Sequence, residues 1–410
     1  LSFRILHVLD HSWPVLDGYG NRSRSLIAAQ KSLGWHPAVV TSPLHNLDDP
    51  AAQDLVLDSV NYYRVPSSSS WAWKAIHRRF PVLREYGVVR LLEKNMMRIL
   101  ANERFDLIHA HSPALCGLAA ARVAAVAGIP FVYEIRSFWE DGLPQKPTSL
   151  RYRLTRFLES HVAKRANAVV AIARPMLRDL ASRGIPQEKL FFVPNGVDVA
   201  RFAPRAYDQA LAKELHLEDT PTLGFIGTFF PWEGVAWLVQ ATAALHARGV
   251  PCKLLIIGDG AEADGVRNAI EQVNAEGFVT YLGRVPHEDI ERYYSILDVL
   301  VYPRRSSRIT EMVTPLKPLE AMALGKAVLG SNVGGIRELI EPEKTGALFE
   351  SGDIDDFCRQ ATRLLQDQKL RRVLGRNARA KVCAESNWTT VTERYRKVYE
   401  IAVNSLLERC

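Results

Sequence analysis

Apolar positions along this chain fall into two alternating series of short hydrophobic runs and longer amphipathic stretches. In the first series, residues 3–9 predict a buried strand, 21–33 a helix and 37–41 a second strand. An amphipathic helix follows at 88–100, with Lys94 and Arg98 outside, then strands at 105–112 and 131–136. A basic helix at 150–166, a strand at 167–173, a helix at 175–182 and a strand at 189–193 complete this half. The second series runs strand 222–227, helix 235–247, strand 252–257, helix 262–276, strand 278–282, helix 288–296 and strand 299–302. Strands separated by helices of that length imply parallel sheets covered on both faces. The pattern therefore predicts an α/β chain of two doubly wound parallel-sheet domains facing across a cleft. The polar segment 199–221, with Pro204 and Pro221, places their division, giving domains at 1–200 and 201–390. Three amphipathic helices at 354–366, 371–384 and 391–407 close the chain.

The most informative stretch is 303–339, which follows the last apolar strand of the second series. A basic loop containing Arg304, Arg305 and Arg308 leads into a helix predicted over 316–324, stopped by Gly325. Pro315 and Pro318 suit a first helical turn, and the amides there, with Lys317, could hold phosphate oxygens. One turn further, Glu320 could accept hydrogen bonds from vicinal hydroxyls such as those of a ribose. The competing reading is a solvated basic loop.

Composition narrows the class. The 410 residues exceed a usual single core, and 47% hydrophobic with 24% charged residues describes a globular chain. No apolar run approaches the ~20 residues that span a bilayer, and the start lacks a signal-peptide cleavage pattern, so a cytoplasmic location is expected. Cys116, Cys252, Cys358, Cys383 and Cys410 show no spacing for zinc or redox work, which favours reduced thiols. A formal charge of +7 favours acidic ligands or anionic surfaces.

Other candidates come from chemistry at predicted strand ends. Gly18 and Gly20 allow the backbone to bend before the helix at 21–33, though the third glycine of a dinucleotide fingerprint is missing. The stretch 71–98 interleaves aromatic and basic residues in a way that suits an anionic membrane surface, with nucleic acid as another partner for the same composition and a self-packed loop as the alternative. His109 and His111 share one face at the carboxyl end of their strand, where open parallel sheets bind ligands. Glu134, Arg136, Trp139, Glu140 and Asp141 gather stacking and hydrogen-bonding groups at the next strand end. Arg136, Trp139 and Glu140 are accordingly acceptor-side candidates, against a salt-bridged loop.

Two strings carry a resemblance. Pro-Leu-Glu-Ala-Met-Ala-Leu-Gly-Lys-Ala-Val from Pro318 and Ser-Asn-Val-Gly-Gly-Ile-Arg-Glu-Leu-Ile from Ser331 resemble the C-terminal signature of family 4 retaining glycosyltransferases. That resemblance implies the GT-B architecture of two Rossmann-like domains, with the last helix crossing back to the first. It also implies transfer of a sugar from a nucleotide diphosphate donor to a hydroxyl acceptor. His-Ala-His-Ser is similar to the family string whose second histidine contacts the transferred sugar, which makes His111 the catalytic candidate. By the same likeness Gly18 and Gly20 face donor phosphates and acceptor, and Arg284 and Val285 meet the base.

The sequence departs from the family at two places. Where relatives carry an arginine and a lysine for the diphosphate, this chain has Thr228 and Glu233. A carboxylate ~5 Å from a diphosphate is unfavourable, so Arg304, Arg308 and Lys317 are expected to balance it. The family's carboxylate pair is also displaced, because Met312 occupies the expected first position and Glu311 precedes it. Either Glu311 reaches the sugar from a kinked loop, or backbone amides at Met312, Val313 and Thr314 serve alone. No paired aspartates of a metal site stand out, so no metal and no cofactor are expected. Glu-Ile-Arg-Ser-Phe-Trp-Glu-Asp is similar to bacterial enzymes of surface-polysaccharide assembly, implying a glycan or lipid-linked acceptor at the inner face of the membrane and no nucleic acid. The alternatives are a nucleotide-sugar epimerase and a noncatalytic sugar-binding protein.

Overall fold

The computed structural model describes residues 2–15, 17–46, 54–66, 81–142 and 147–407. The chain forms two units, Leu1–Pro194 with Trp388–Cys410, and Asn195–Asn387. In the first, β1 (Arg4–Leu9), β2 (His36–Thr41), β3 (Leu55–Leu57), β4 (Val60–Arg64), β5 (Leu107–His111), β6 (Phe131–Ile135), β7 (Ala168–Ala171) and β8 (Leu190–Phe192) make one sheet. Its order is β3-β4-β2-β1-β5-β6-β7-β8, parallel throughout except for the β3–β4 hairpin. The strands β5, β6 and β7 are buried at every position, so no polar alternation marks them. Growth of the sheet reverses between β1 and β5, and that switch point is where such sheets take ligands.

The final helix, Trp388–Leu407, packs on the helix Gly18–Ser32 and on β5, β6 and β7. Val391, Tyr395, Val398, Tyr399 and Ala402 enter the same core as Phe3, Trp35 and Leu107. Their spacing is that of one helical face, which explains why this amphipathic helix needs a sheet to cover it.

The second unit has β9 (Thr222–Ile226), β10 (Lys253–Ile257), β11 (Val279–Gly283), β12 (Val299–Tyr302), β13 (Ala327–Ser331) and β14 (Ala347–Phe349). Their order, β11-β10-β9-β12-β13-β14, is all parallel, with the switch between β9 and β12.

Several elements differ from expectation. The chain enters the second unit after Pro194, before residue 200, because Val197 bridges to Asn387 and Val197 and Phe202 lie in that unit's core. The first long helix starts at Gly18, since Asp17 caps it by accepting from the Gly20 amide at 2.7 Å. The β3–β4 hairpin was not expected, its short strand being half exposed. The helix expected to run to 276 ends at Gln272, where Asn274 takes a left-handed φ of 49°. Residues 71–80 of the expected membrane stretch lie outside the described residues.

The Gly-Gly of Ser331-Asn-Val-Gly-Gly-Ile has a packing reason. A Cβ on Gly335 would collide with the backbone oxygens of Val313 and Thr310, and one on Gly334 with that of Glu311. These glycines let the short helix Gly334–Arg337 lie against the helix Arg308–Met312. Backbone atoms cannot step aside, so Gly335→Ala is expected to destabilise the protein by about 1–3 kcal/mol, read as a lower urea midpoint at unchanged slope.

Candidate active-site elements

In the second unit the site grows from the loops that leave β9 and β12 on either side of the switch. Gly227, at φ 148°, has no side chain where Lys317 must pass, and a Cβ there would overlap the lysine stem. Through that gap Lys317 Nζ donates to the Thr228 carbonyl oxygen at 3.1 Å and pairs with Glu233 Oε2 at 3.1 Å. It also stands 5.1 Å from the centre of the Phe225 ring. Arg304 approaches Glu233 Oε1 at 3.4 Å through Nε and donates from Nη1 to the Val313 carbonyl oxygen at 2.9 Å. Burial alone would raise the Glu233 carboxyl, but Lys317 and then Arg304 hold it below the usual range.

This arrangement answers the first departure and corrects part of the expectation. Glu233 is not a bare anion in the loop, because two cations neutralise it and leave the trio with one net positive charge. Arg304, only 3% exposed, is engaged by Glu233 and a carbonyl, so it supports the site from below rather than meeting a ligand. Lys317 keeps 20% of its side chain exposed. Arg308 is half-buried as the first residue of the helix Arg308–Met312.

Glu311 also has a different place from the one expected. Its Oε2 accepts from the Gly334 amide at 2.7 Å and from Arg337 at 3.1 Å, and its Oε1 accepts from Ser306 at 3.0 Å. Oε2 ties two short helices together and Oε1 holds the loop before the first, so reaching a sugar would require breaking those bonds. Met312 is half-buried, and the Val313 amide donates to the Ile309 carbonyl oxygen at 2.9 Å, which removes it from the expected set of ligand donors. Thr314 is buried, its carbonyl oxygen and Oγ1 accepting from Asn195 Nδ2 at 2.7 and 3.1 Å.

Glu320 lies half-buried in the first turn of the helix Lys317–Ala323. Burial raises its carboxyl, opposed by a hydrogen bond from the Tyr294 hydroxyl to Oε2 at 3.1 Å. Tyr302 donates to the Lys317 carbonyl oxygen at 2.9 Å and fixes that turn from the end of β12. Arg284 is exposed and pairs with Asp259 at 3.2 Å, while the half-buried Val285 packs on the core.

In the first unit, the loop after β1 carries Asp10, His11 and Asp17. His11 donates to Asp10 Oδ2 at 3.1 Å and to Asp17 Oδ2 at 2.9 Å. Burial would lower this imidazole, but the bonds to Asp10 and Asp17 raise it to about 9. Gly18 and Gly20 sit inside the first helical turn, and Gly20 is required because a Cβ would strike the Val15 carbonyl oxygen. Since the Asp17 carboxylate already accepts from the Gly20 amide, the expected anion cradle at this helix start is filled by the protein itself.

Behind that loop lies a buried hydrogen-bonded chain. Arg136 can only donate, and its Nη2 reaches His111 Nδ1 at 2.8 Å. His111 must then carry its proton on Nε2 and donate to His7 Nδ1 at 2.9 Å; His7 in turn donates from Nε2 to Gln30 Oε1 at 2.8 Å. Gln30 Nε2 donates to the Tyr399 hydroxyl at 2.9 Å, and that hydroxyl donates to His109 Nδ1 at 2.9 Å. His109 Nε2 faces Glu134 Oε2 at 3.5 Å. Glu134 is fully buried and accepts from Arg22 Nε at 3.0 Å, from Arg136 Nε at 2.9 Å and from the Tyr395 hydroxyl. Burial works to raise this carboxyl, but the guanidinium groups of Arg22 and Arg136 drive it well below its usual range.

All three imidazoles are neutral for the same reason. Burial lowers each of them, His7 to about 3. His111 is wholly buried with both ring nitrogens engaged, so its side chain supports the cluster and does not meet a ligand. His7, His109 and His111 place nitrogens within 4.8 Å of one another, the spacing of a metal site. The guanidinium groups of Arg22 and Arg136 beside them oppose a divalent cation.

The acceptor-side candidates divide. Arg136 is buried, its remaining donors going to the Tyr19 carbonyl oxygen at 2.9 Å and Ser23 Oγ at 2.7 Å. Glu140 is buried against Arg183 at 2.6 Å. Both belong to the salt-bridged alternative. Trp139 is half-buried, with Arg151 over its ring at 5.4 Å. The sequence offered one missed signal: His7 and Glu134 interrupt otherwise apolar strands, and a buried strand keeps such a group only if a partner meets it.

Replacing Tyr399 with Phe leaves His109 Nδ1 without its donor and Gln30 Nε2 without its acceptor, and an expected loss of about 1–3 kcal/mol will show in chemical unfolding. The His11 pair predicts a pH signature. Its folded value lies above the free value of 6.5, so its contribution is complete below 6.5 and is lost as pH rises through about 9. The urea midpoints of the parent and His11→Gln should differ most near the low end of that window and converge above it.

Two family models match the chain: "Glycosyl transferase 4-like domain" over residues 17–196 and "Glycosyl transferases group 1" over 207–381. A GDP-mannose-dependent alpha-mannosyltransferase of Mycolicibacterium smegmatis is 28% identical over 404 residues, covering 97% of each chain. A UDP-Gal:alpha-D-GlcNAc-diphosphoundecaprenol alpha-1,3-galactosyltransferase of Escherichia coli is 24% identical over 326 residues, 77% of this chain and 79% of that one. Among solved structures, sucrose-phosphate synthase from Thermosynechococcus elongatus superposes with a TM-score of 0.78 at 20% identity, covering 98% of this chain and 100% of that one. HepE of Anabaena, in complex with UDP, gives 0.74 at 18% identity over 97% and 99%. With one model on each parallel-sheet unit and relatives that run nearly its whole length, the chain is a glycosyltransferase and belongs to family 4, with the GT-B fold.

Proposed function

We propose that the protein transfers a sugar, with retention at the anomeric carbon and without a metal, from a nucleotide diphosphate sugar to a hydroxyl of a glycan or lipid-linked glycan. The observation that carries this reading is Lys317 emerging through the Gly227 gap at the β9–β12 switch point, with Glu233 and Arg304 setting its position. In this reading the second unit holds the donor: Lys317 and Arg308 face the diphosphate and Glu320 takes the ribose hydroxyls. Arg304 keeps Glu233 neutralised so that Lys317 can turn to the ligand. The first unit takes the acceptor. The bond from C1 to the leaving phosphate oxygen breaks, the bond to the acceptor oxygen forms on the same face, and the departing phosphate takes the acceptor proton. This route asks for no paired side-chain acid and base.

The relatives guide the choice of ligands. GDP-mannose is the first donor to test, because a relative covering 97% of this chain is named for it. The diphosphoundecaprenol in the name of another relative supports a lipid-linked acceptor and hence a site of action at the inner face of a membrane.

A thermal-shift series with GDP-mannose, UDP-glucose and UDP-galactose should raise the midpoint with one of them, since a ligand that binds only the folded state must do so. If none does and none is hydrolysed, the transferase reading of this site is lost. Lys317→Ala should weaken donor binding about tenfold or more by calorimetry, because Glu233 then faces the diphosphate without its nearer cation. Nuclear magnetic resonance of the product should show the donor's anomeric configuration, at a rate that chelator leaves unchanged.

A further inference from the structure

In the first unit, two neighbouring helices raise apolar side chains into solvent. On the helix Leu150–Arg165 these are Leu150, Leu154 and Phe157, with Leu150 80% and Phe157 64% exposed. On the helix Pro81–Asn102 they are Val82, Leu83 and Tyr86, the last 60% exposed. Arg151 joins the two helices through both oxygens of the buried Glu85, with Nη1 at 3.0 Å from Oε2. The two apolar stripes therefore begin side by side.

We infer that this face seats the protein on an anionic lipid bilayer. Leu150, Leu154 and Phe157 recur on one face of their helix, and His161 continues the line, stacked on Phe157 at 6.1 Å between ring centres. At 3.6 residues per turn, exposed Arg153 and Lys164 fall on one flank of that stripe and exposed Arg165 on the other. An apolar stripe edged by cations matches the bilayer boundary, where acyl chains lie beneath anionic headgroups. The carboxylates that could spoil that match are hidden. Glu159 is the only one in the helix Leu150–Arg165 and is fully buried, and Glu85, the only one in the first two turns of its own helix, is taken by Arg151. Among the described residues no helix is long and apolar enough to cross a membrane, so the contact is with the surface. The placement differs from the sequence expectation of 71–98, since half of the surface comes from the helix Leu150–Arg165.

The test uses the purified full chain with two vesicle preparations, phosphatidylcholine alone and a mixture with about one-third phosphatidylglycerol. The parent should co-sediment with the mixed vesicles at low salt, and far less with the neutral ones or at high salt. The double variant Leu154→Asp, Phe157→Asp and, separately, Arg153→Glu, Lys164→Glu should each lose about tenfold or more of that binding. All four residues are exposed, so both variants should keep the parent's melting midpoint and its donor hydrolysis. This separates failure of the docking surface from failure of the transferase reading. Absence of vesicle binding by the parent, equal binding by the variants, or a parent dimer that the Asp variant dissolves would overturn the inference.

Discussion

In each unit a buried carboxylate is held by two cations, and the local site is built on that pairing. Glu134 in β6 sits between Arg22 and Arg136, and Glu233 in the loop after β9 sits between Lys317 and Arg304. A carboxylate taken out of water costs several kcal/mol unless charge and hydrogen bonds meet it, and removing one partner leaves that cost exposed. The pairing therefore fixes more than its own atoms. In the first unit it orients Arg136, whose remaining donors set the His111 tautomer and the backbone of the first long helix. In the second it sets where the Lys317 ammonium comes to rest.

The two pairs differ in what they leave available. Glu134 is enclosed on every side, and its cations end on carbonyl oxygens, two hydroxyls and an imidazole, so that cluster is a rigid support. Glu233 is also buried, but one of its cations, Lys317, stays partly open to solvent. A charge held in place on one side and accessible on the other is preorganised for an incoming anion, because little reorganisation is needed when the anion arrives. The same physics thus gives a closed scaffold in one unit and a positioned, partly exposed cation in the other.

The fold was legible in the sequence because its signals are local. Strands such as 299–302 and helices such as 354–366 declare themselves within a few turns of chain, and the structure places both at those residues. The family strings were legible as well, yet the environment of their residues was not. His111 could be named from four letters, but its neutrality comes from burial and its single tautomer from Arg136 on one side and His7 on the other, neither of them near it in sequence. The acceptor-side reading of Arg136 and Glu140 failed for a related reason. Charged groups at a strand end look the same in sequence whether they face solvent or one another.

Glu311 shows how a displaced residue acquires a new use. A one-residue shift on a helix turns a side chain by about 100°, enough to carry it from one face to the next. The carboxylate here points at the Gly334 amide, and Gly334 and Gly335 allow that approach because they carry no side chain to block it. The glycines and the glutamate therefore form one unit of packing. It draws the helix Gly334–Arg337 against the helix Arg308–Met312, whose Val313 end in turn receives Arg304, the buried partner of Glu233. The departure at Glu311 and the departure at Glu233 are thus joined through a single stretch of backbone, the one that leads on to Lys317.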